Sequence, residues 1–270
     1  MEARSEAVIS EHIRRLKASG KKVFSNSYLR FVKEEQRWET AVSPESLLIL
    51  NPDHGVRRLL FYTTDFSDLK NLLHTSLASG EEYVLEIVSK DGGLYQDEME
   101  DMGFVEIARL SRVSVKDISP IFHGENEISR MADPSIPMEA KEEDTDGILK
   151  TLWNVFDTRI SHLPGREELC QSIRRGEFCI YKDEDSSNIK AVLQSIVAPK
   201  SFYINQVYNG AKKNVIHSIL FERLKQYYLN GGRYVYAWVE ESNLASLKFH
   251  AKYGLQPDGL YTCVYVYRAK

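Results

Sequence analysis

The chain has 270 residues, of which 43% are hydrophobic and 27% are charged, and its formal net charge is −4. This composition is ordinary for a globular protein, and the length allows two modest hydrophobic cores. Nothing in this slightly acidic balance favours DNA, RNA or an anionic membrane as a bulk partner, so we expect neither nucleic acid nor a membrane as a partner.

The sequence also argues against membrane, secreted and metal-binding classes. No apolar run approaches the roughly 20 residues that cross a bilayer, and the charged start lacks the apolar segment of a signal peptide. The three cysteines are too few and too scattered for a disulfide framework or a zinc site. We therefore expect a cytoplasmic protein that needs no metal.

The first half of the chain predicts an α/β unit. Helices are predicted where apolar residues recur every three or four positions, and strands where β-branched and aromatic residues cluster between turn residues. Asp65 is a predicted N-cap. The predicted elements are a helix over 7–17, a helix over 27–36, strands over 38–42, 47–50 and 56–62, a helix over 66–77, a strand over 83–88, a helix over 94–101 and a strand ending at 115.

Residues 118–136 form the predicted linker between a domain over 1–117 and a domain over 137–270. The stretch is polar and rich in proline, although Ile121 and Phe122 are expected to dock on one of the domains. The second domain predicts a helix that runs to about 156, helices over 166–175 and 214–229, strands over 178–181, 189–197, 201–208 and 233–240, a helix ending at Gly254, and final strands to 268.

The two halves match at a fixed offset. Tyr83 to Gly103 spans the same distance as Tyr234 to Gly254, since 234 − 83 and 254 − 103 both equal 151. The order strand, helix, strand, helix, strand thus occurs twice, with no gap between the matching cores. A fixed internal period of this kind indicates a duplicated structural unit.

Residues 233–255 carry the most specific pattern. The nearly unbroken run of β-branched and aromatic residues from Arg233 predicts a strand buried on both faces, and Ser242 is the predicted N-cap of the next helix. The run Asn-x-x-Ser-x-x-Phe-His-x-Lys-x-Gly-Leu, from Asn243 to Leu255, resembles the Asn-x-x-Ala/Ser…Tyr/His-x-Lys-x-Gly-Phe motif of the GNAT superfamily of CoA-dependent N-acyltransferases.

This resemblance implies an α/β protein with two tandem GNAT-like folds, each a mixed sheet flanked by helices. It covers residues 137–268 fairly specifically and the first half more loosely. Gly92, Tyr95 and Met99 occupy the places of Asn243, Ser246 and His250, so the first copy is expected to be a degenerate structural or substrate-binding half.

The same resemblance implies roles for single residues. His250 would face the CoA sulfur and serve as the catalytic residue. The residues implied to bind acetyl-CoA, at the pantetheine arm, the thioester or the pyrophosphate, are Val207, Tyr208, Lys212, Lys213, Asn214, Asn243 and Ser246. A histidine that only packs against Trp238 and Tyr253 is the alternative for His250.

The resemblance is weaker at the phosphate-binding loop. GNAT folds use glycines there because bare backbone must approach the pyrophosphate at a helix N-terminus. Here Lys213 and Val215 fall on glycine positions and His217 on the Gly/Ala position, while Lys212 matches the arginine. A capped surface helix start without a ligand is the alternative to a working phosphate site.

The general base is not evident from the sequence. The strand over 201–208 holds no Glu, so Tyr203, Asn205 or Gln206 could order a water instead. Asp157 and Glu177 are more distant carboxylates. Each of these residues is also compatible with a purely structural role.

The expected function is transfer of an acyl group, most simply acetyl from acetyl-CoA, to a small-molecule or peptide amine. One alternative is an aminoacyl-tRNA-dependent transferase resembling the FemX type, which also has tandem GNAT folds and lacks the CoA loop. A second is a non-catalytic binding module on a decayed GNAT fold. The fold by itself does not separate these functions.

Overall fold

The computed structural model describes residues 1–26, 37–123, 139–182, 188–211 and 213–269, with the backbone alone for Arg37 and Lys213. The described chain forms two compact units. The N-terminal unit comprises Met1–Arg109 and Leu260–Lys270, and the C-terminal unit comprises Leu110–Gly259. The helix predicted over 27–36 and most of the predicted linker lie outside the described residues.

The predicted helices and strands are largely confirmed, with shifts of a few residues at their ends. The first half contains β1 (Glu2–Ser5), α1 (Glu6–Ala18), β2 (Phe24–Ser25), β3 (Arg37–Val42), β4 (Ser46–Asp53), β5 (Val56–Thr63), α2 (Phe66–Ser76), β6 (Glu82–Ser89), α3 (Gln96–Asp101) and β7 (Val105–Val115). The second half contains α4 (Thr145–Val155), α5 (Arg166–Arg174), β8 (Phe178–Lys182), β9 (Ile189–Ala198), β10 (Ser201–Asn209), α6 (Lys213–Leu229), β11 (Val235–Glu240), α7 (Leu244–Ala251) and β12 (Gln256–Arg268).

The two units have the same strand order. In the N-terminal unit the neighbours are β1, β3, β4, β5, β6 and β12. In the C-terminal unit they are Glu139, which forms a single bridge to β8, and then β8, β9, β10, β11 and β7. Every pair is antiparallel except β5 with β6 and β10 with β11, which are parallel. The expectation of a duplicated strand order is therefore confirmed.

The compact units follow other bounds than the domains predicted at 1–117 and 137–270. The chain leaves the N-terminal unit within β7 and re-enters it within β12. Residues 110–115 of β7 pair with β11, and residues 261–268 of β12 pair with β6. Each unit is thus completed by the last strand of the other repeat, an exchange that hydrophobic periodicity cannot reveal.

Each unit buries separate hydrophobic clusters. In the N-terminal unit, α2 and α3 cover one cluster, which includes Leu69, Met99 and Tyr265, and α1 covers another, which includes Ile9 and Leu47. In the C-terminal unit, α6 covers a cluster that we call the α6 cluster, with members on β7, β9, β10, β11 and the segment after α7. Helices α4 and α5 cover a second, which we call the α4–α5 cluster.

Local signals in the sequence explain several element ends. The Asp65 side chain accepts a hydrogen bond from Ser67 N at 2.8 Å, which confirms it as the N-cap of α2. Gly103 and Gly254 end α3 and α7 with φ of 91° and 79°, a conformation that favours glycine. Ile121 lies in the α6 cluster, and the ring of Phe122 stacks on Tyr228 with centroids 4.8 Å apart, so the expected docking is confirmed.

Strand β11 corrects one prediction. Val235, Ala237 and Val239 are buried in the α6 cluster, whereas Tyr236 and Trp238 on the opposite face are only half-buried. The strand is therefore not buried on both faces. Its aromatic side chains belong to a partly open face, where Tyr236 stacks on Tyr203 of β10. No helix in the described ranges is long and apolar enough to cross a membrane.

Candidate functional site

The C-terminal unit opens between its two parallel strands. Within the described residues, β10 pairs with β11 at Phe202–Val235, Tyr203–Tyr236 and Ile204–Ala237, and the pairing stops there. Both strands nevertheless continue, to Asn209 and to Glu240. Beyond the last pair, backbone donors and acceptors along the inner edges of the strands can bind a ligand instead of each other. We call this gap the C-terminal opening.

A β-bulge marks the start of the C-terminal opening. The register between β10 and β9 shifts after Ile204–Ser195 and resumes at Gln206–Gln194, so Asn205 is the extra residue. Ile204 and Val207 both pack in the α6 cluster. The bulge therefore turns two consecutive polar side chains, those of Asn205 and Gln206, away from that cluster.

The bulged segment carries a short polar network. Tyr203 Oη donates to Asn205 Oδ1 at 2.8 Å, and Asn205 Nδ2 donates to Gln194 Oε1 at 2.8 Å. The ring of Tyr203 stacks on Tyr236 with centroids 4.8 Å apart and an angle of 7° between the planes. These contacts hold an aromatic and amide-rich wall beside the point where the strands part.

Gln206 is the most deeply buried polar side chain of this wall, with 3% of its surface exposed. Its Nε2 donates to the carbonyl oxygen of His162, in the segment between α4 and α5, at 3.3 Å. Its Oε1 is also buried and has no hydrogen-bond partner among the described residues. Buried polar atoms are seldom left unpaired in proteins.

Asn243 is the N-cap of helix α7, which corrects the prediction that Ser242 is the N-cap. Asn243 Oδ1 accepts a hydrogen bond from Ser246 N at 2.9 Å, whereas the Ser242 hydroxyl donates to Glu240. The side chain of Asn243 is exposed, so capping uses its oxygen and leaves the amide group at the surface. The role in binding pantetheine that the sequence implied for Asn243 and Ser246 stays a prediction.

His250 lies two turns further along α7 and is 3% exposed. Its Nδ1 is 2.8 Å from the carbonyl oxygen of Ser246, so Nδ1 carries the hydrogen. Nε2 is then a lone-pair acceptor, and it is buried with no partner in the described part of the chain. Burial lowers the pKa of His250, although the bond to Ser246 acts in the opposite direction. The imidazole is therefore neutral at pH 7.

The start of α6 occupies the position of the phosphate-binding loop. Val215 and His217 are 6% and 2% exposed, so these side chains point into the core and not over the helix start. Asn214 is exposed and its carbonyl oxygen accepts from the Ser218 hydroxyl at 3.0 Å. Lys212 lies outside the described residues, and only the backbone of Lys213 is described.

Val207 and Tyr208 direct their side chains to opposite faces of the sheet. Val207 packs against the α6 cluster, and Tyr208 packs against the α4–α5 cluster. What the two residues can offer to the C-terminal opening is therefore their backbone. The other sequence candidates are tied into separate contacts, since Asp157 binds Arg159 and Glu177 binds Arg175. His217 is buried, with its Nδ1 3.0 Å from Tyr253 Oη.

The N-terminal unit has an equivalent opening, which its own chain fills. Strand β5 pairs with β6 at Arg58–Val84 and Leu59–Leu85, and the described pairing then stops. Asn26 bridges the gap: its Nδ2 donates to Leu59 O at 3.0 Å and to Glu86 O at 3.1 Å. Its Oδ1 accepts from Phe61 N at 2.8 Å.

Strand β2 holds this carboxamide in place. Phe24 and Ser25 pair with β5, at Thr63 and Tyr62. The ring of Phe24 lies 5.0 Å from Phe66 and 5.8 Å from Tyr95 between centroids. Neither β2 nor Asn26 was predicted, because two strand residues have no periodicity to recognise.

The two openings correspond residue by residue. Leu59 and Ile204 each form the last parallel pair of their strand. Phe61 pairs with Leu48 on β4, and Val207 pairs with Leu193 on β9; each packs on the face covered by the longer helix that follows its strand. Allowing for the bulge residue, the Phe61 amide that binds Asn26 is the counterpart of the Val207 amide.

A surface hollow of about 290 Å³ lies on the C-terminal unit beside α4 and the start of α5. Its lining is mainly apolar and includes Leu149, Trp153 and Pro164, with Lys150 and Arg166 at its border. Among the described residues, no three His, Cys, Asp or Glu side chains lie close enough together to hold a metal ion.

Comparisons with solved structures identify the fold. No protein-family model and no curated protein matches the chain. A GCN5-related N-acetyltransferase from Sphaerobacter thermophilus matches with a TM-score of 0.56 and 13% identity, covering 88% of this chain and 82% of its own. One from Kribbella flavida gives 0.52 and 11%, covering 100% and 98%. A tandem GNAT protein from the clavulanic acid biosynthesis pathway gives 0.50 and 12%, covering 84% and 79%.

At these identities the comparisons establish the fold and not the activity. The chain is a mixed α/β protein with two GNAT-like folds in tandem, as the residues from Asn243 to Leu255 led us to expect. These solved structures are named as acetyltransferases or GNAT proteins, but a similar fold alone does not show that this chain catalyses the same reaction.

Proposed function

We propose that the chain is an acyl-CoA-dependent N-acyltransferase that moves an acetyl group from acetyl-CoA to a primary amine in its C-terminal unit. The observation that carries this proposal is the C-terminal opening, whose N-terminal counterpart already holds a carboxamide on three backbone groups. Among the described residues no side chain bridges the C-terminal opening in this way, which leaves it as the place for the donor in a GNAT fold whose other opening is self-filled.

Asn26 serves as an internal guide to how a ligand would lie there. Its carbonyl oxygen sits on the Phe61 amide, and its NH₂ group bridges two backbone carbonyls. By correspondence, the Val207 amide would bind the thioester carbonyl oxygen, and the carbonyls of Ile204 and Trp238 would accept from an amide of the pantetheine arm. A backbone donor fixed at the carbonyl oxygen stabilises the charge that develops during attack.

His250 is the proposed proton carrier. The amine nitrogen attacks the thioester carbon, the C–N bond forms, and the C–S bond breaks. The nitrogen must lose one proton and the leaving thiolate must gain one. The Nε2 lone pair of His250 takes the first and delivers the second, and a lowered pKa suits a group that must release the proton again.

The remaining contacts to acetyl-CoA follow the family resemblance. Asn243 and Ser246 would bind the pantetheine arm at the start of α7. The first backbone amides of α6, with the side chains of Lys212, Lys213 and Asn214, would bind the pyrophosphate. The buried side chains of Val215 and His217 support this, because they leave the helix start unobstructed.

The acceptor is proposed to be a small-molecule or peptide amine handled in the cytoplasm, without nucleic acid or membrane. Calorimetric titration with acetyl-CoA, followed by CoA-thiol release with a panel of amines, tests the function. We expect one binding site per chain and amine-dependent thiol release. Binding without release for any amine would favour a non-catalytic module, and activity that requires aminoacyl-tRNA would favour the FemX-like alternative.

A further inference from the structure

The unpaired oxygen of Gln206 is the observation from which we proceed. A backbone carbonyl can only accept hydrogen bonds, so the contact with His162 O fixes Nε2 on that side and leaves Oε1 on the other. Oε1 is buried and has no partner among the described residues, while the side chain as a whole is 97% buried. A polar atom kept in such a place is normally completed by a ligand or a water.

The location of Gln206 restricts which ligand atom could form a hydrogen bond with its Oε1. Gln206 follows the bulge residue Asn205 and precedes Val207, whose amide is the proposed site of the thioester carbonyl. Its side chain shares a face with Asn205 and Tyr203, opposite the α6 cluster. Since Oε1 is an acceptor, its partner must be a donor, and the donor that approaches a thioester in this reaction is the nitrogen of the amine.

We propose that Gln206 Oε1 binds an N–H of the acceptor, and that the acceptor is an amine of low basicity, which keeps an appreciable uncharged fraction at neutral pH. This inference rests on the proposed function. A carboxamide positions an amine but cannot remove its proton, so an alkylammonium ion bound there would lack the lone pair needed for attack. An amine of low basicity arrives with that lone pair free.

The titratable groups around Gln206 agree with this. The segment between α4 and α5 carries His162, and its Asp157 is held by Arg159, whose hydrogen bonds lower the pKa of the carboxyl. On β10 and β11 the titratable groups are Tyr203, Tyr208, Tyr236 and Glu240, and burial raises the pKa of Tyr236.

Charged and ionisable groups also lie on the neighbouring elements β7, α6 and α7. Arg112 of β7 lies over the Tyr236 ring and is bound to Asp258. On α6 and α7 the groups are the buried His217 and His250. The carboxylates of Asp157, Asp258 and Glu240 are each bound to another side chain. His250 takes a proton from the nitrogen after attack has made that nitrogen acidic.

The acceptor class follows from amine basicity. A lysine side chain has a pKa of about 10.4 and is almost wholly charged at pH 7, whereas a peptide α-amino group has a pKa of about 7.7–8.0. Aryl amines are less basic still. The expected acceptors are therefore α-amino groups of small peptides or aryl amines, and not alkyl amines or lysine side chains.

The test compares kcat/KM against pH for three amines, a dipeptide, an aryl amine and an alkyl amine, with wild type, Gln206→Met and Gln206→Glu. For wild type we expect the pH profile to follow the pKa of each amine. Gln206→Met should lower kcat/KM for the dipeptide about tenfold with KM for acetyl-CoA unchanged, as for one lost hydrogen bond. Gln206→Glu should recover activity and raise the use of the alkyl amine, because a carboxylate can take its proton.

Thermal unfolding of Gln206→Met and Gln206→Glu shows whether each variant folds. If Gln206→Met is unstable, the activity of Gln206→Glu towards the alkyl amine still tests the inference. Unchanged kcat/KM for folded Gln206→Met means that Oε1 holds only a water and overturns the inference. Equal wild-type use of the alkyl amine at pH 7 also overturns it. Absence of thiol release with every amine overturns the proposed function itself, which is a different result.

Discussion

The two units of this chain open their sheets at corresponding places, between the only parallel pair of the described strands in each unit, yet the openings differ in content. In the N-terminal unit, Asn26 satisfies two backbone carbonyls and one amide with its own carboxamide. In the C-terminal unit, the bulge at Asn205 brings polar side chains to the edge, and Gln206 and His250 each keep a buried atom without a described partner.

This difference teaches how one fold can serve two purposes within a chain. Diverging strands expose backbone groups that must be paired, and a protein can pair them with its own residue or reserve them for a ligand. The N-terminal unit pairs these groups with its own Asn26, and in our proposal the C-terminal unit reserves them for a ligand. The predictions below try to break this contrast, beginning with the largest effect.

The first prediction concerns Asn26→Ala. The substitution leaves Leu59 O, Glu86 O and Phe61 N without the carboxamide, and we expect a loss of about 3 kcal/mol in the free energy of unfolding, at roughly 1 kcal/mol for each bond. Asn205→Ala is the matched change at the other opening. It removes side-chain bonds to Tyr203 and Gln194 and leaves the backbone pairing of the strands unchanged.

Urea denaturation measures both changes. Asn205→Ala should cost about 1–2 kcal/mol, less than Asn26→Ala, since it removes two side-chain bonds and leaves no backbone group unpaired. Equal stability of Asn26→Ala and wild type would mean that Asn26 does not hold the N-terminal opening, and the contrast between the two units would fail.

The element types and their order along the chain were accessible from the sequence, because long amphipathic segments and capping residues such as Asp65 determine them locally. The exchange of β7 and β12 was not, because a strand carries no signal of which sheet edge it joins. Asn26 was also missed, since its role depends on three backbone groups that are distant in sequence.

The internal repeat shows a finer limit. Gly80 and Gly231, 151 residues apart, both have positive φ. Across the following strand, however, Tyr83 corresponds to Val235, since each faces the helix-covered cluster of its unit, and 235 − 83 equals 152. If the 151-residue offset held along this strand, every side chain would be matched to one on the opposite face of the sheet. The second repeat therefore has one extra residue before this strand, which an ungapped sequence comparison cannot detect.

At the candidate site, the sequence pointed to the start of α7 but not to the wall of the opening. Asn243 and His250 stood out because the family motif contains them. Gln206 was only one of several polar residues on its strand, since its importance comes from burial and from an unpaired atom. The neutral tautomer of His250 likewise depends on the contact with Ser246 O, which motif reading does not supply.

The second prediction concerns His250→Phe and His250→Gln. If His250 carries the proton from nitrogen to sulfur, kcat should fall about 100-fold with little change in KM for acetyl-CoA, since the group acts mainly in the transition state. Met99→Leu, at the corresponding position of the N-terminal unit, should leave kcat unchanged. Steady-state kinetics with the best amine decide this, and wild-type kcat in His250→Phe would make His250 a packing residue.

The third prediction separates two roles of Asn243. Asn243→Ser retains a good N-cap oxygen but removes the amide donors, so the stability should hold while the Kd for acetyl-CoA rises about tenfold. Ser242→Ala is the control, because its hydroxyl binds Glu240 and takes no part in the cap. Calorimetry should give one site per chain for all three proteins. Two sites, or tight binding that ignores Asn243→Ser, would put the ligand elsewhere.

The smallest expected effect concerns pH and His250. Burial lowers its pKa in the folded state below the ordinary value of 6.5, so the unfolded chain takes up a proton first as the pH falls. The free energy of unfolding therefore loses nothing through His250 well above pH 6.5. Below that pH it declines, by at most about 1.4 kcal/mol per pH unit for one group. His250→Met gives the C-terminal unit the residue that the N-terminal unit has at Met99 and removes this part of the decline. Urea denaturation at pH 7.5 and pH 5.5 should thus show a smaller loss for His250→Met than for wild type, and parallel losses would mean that His250 is protonated as easily in the folded as in the unfolded chain.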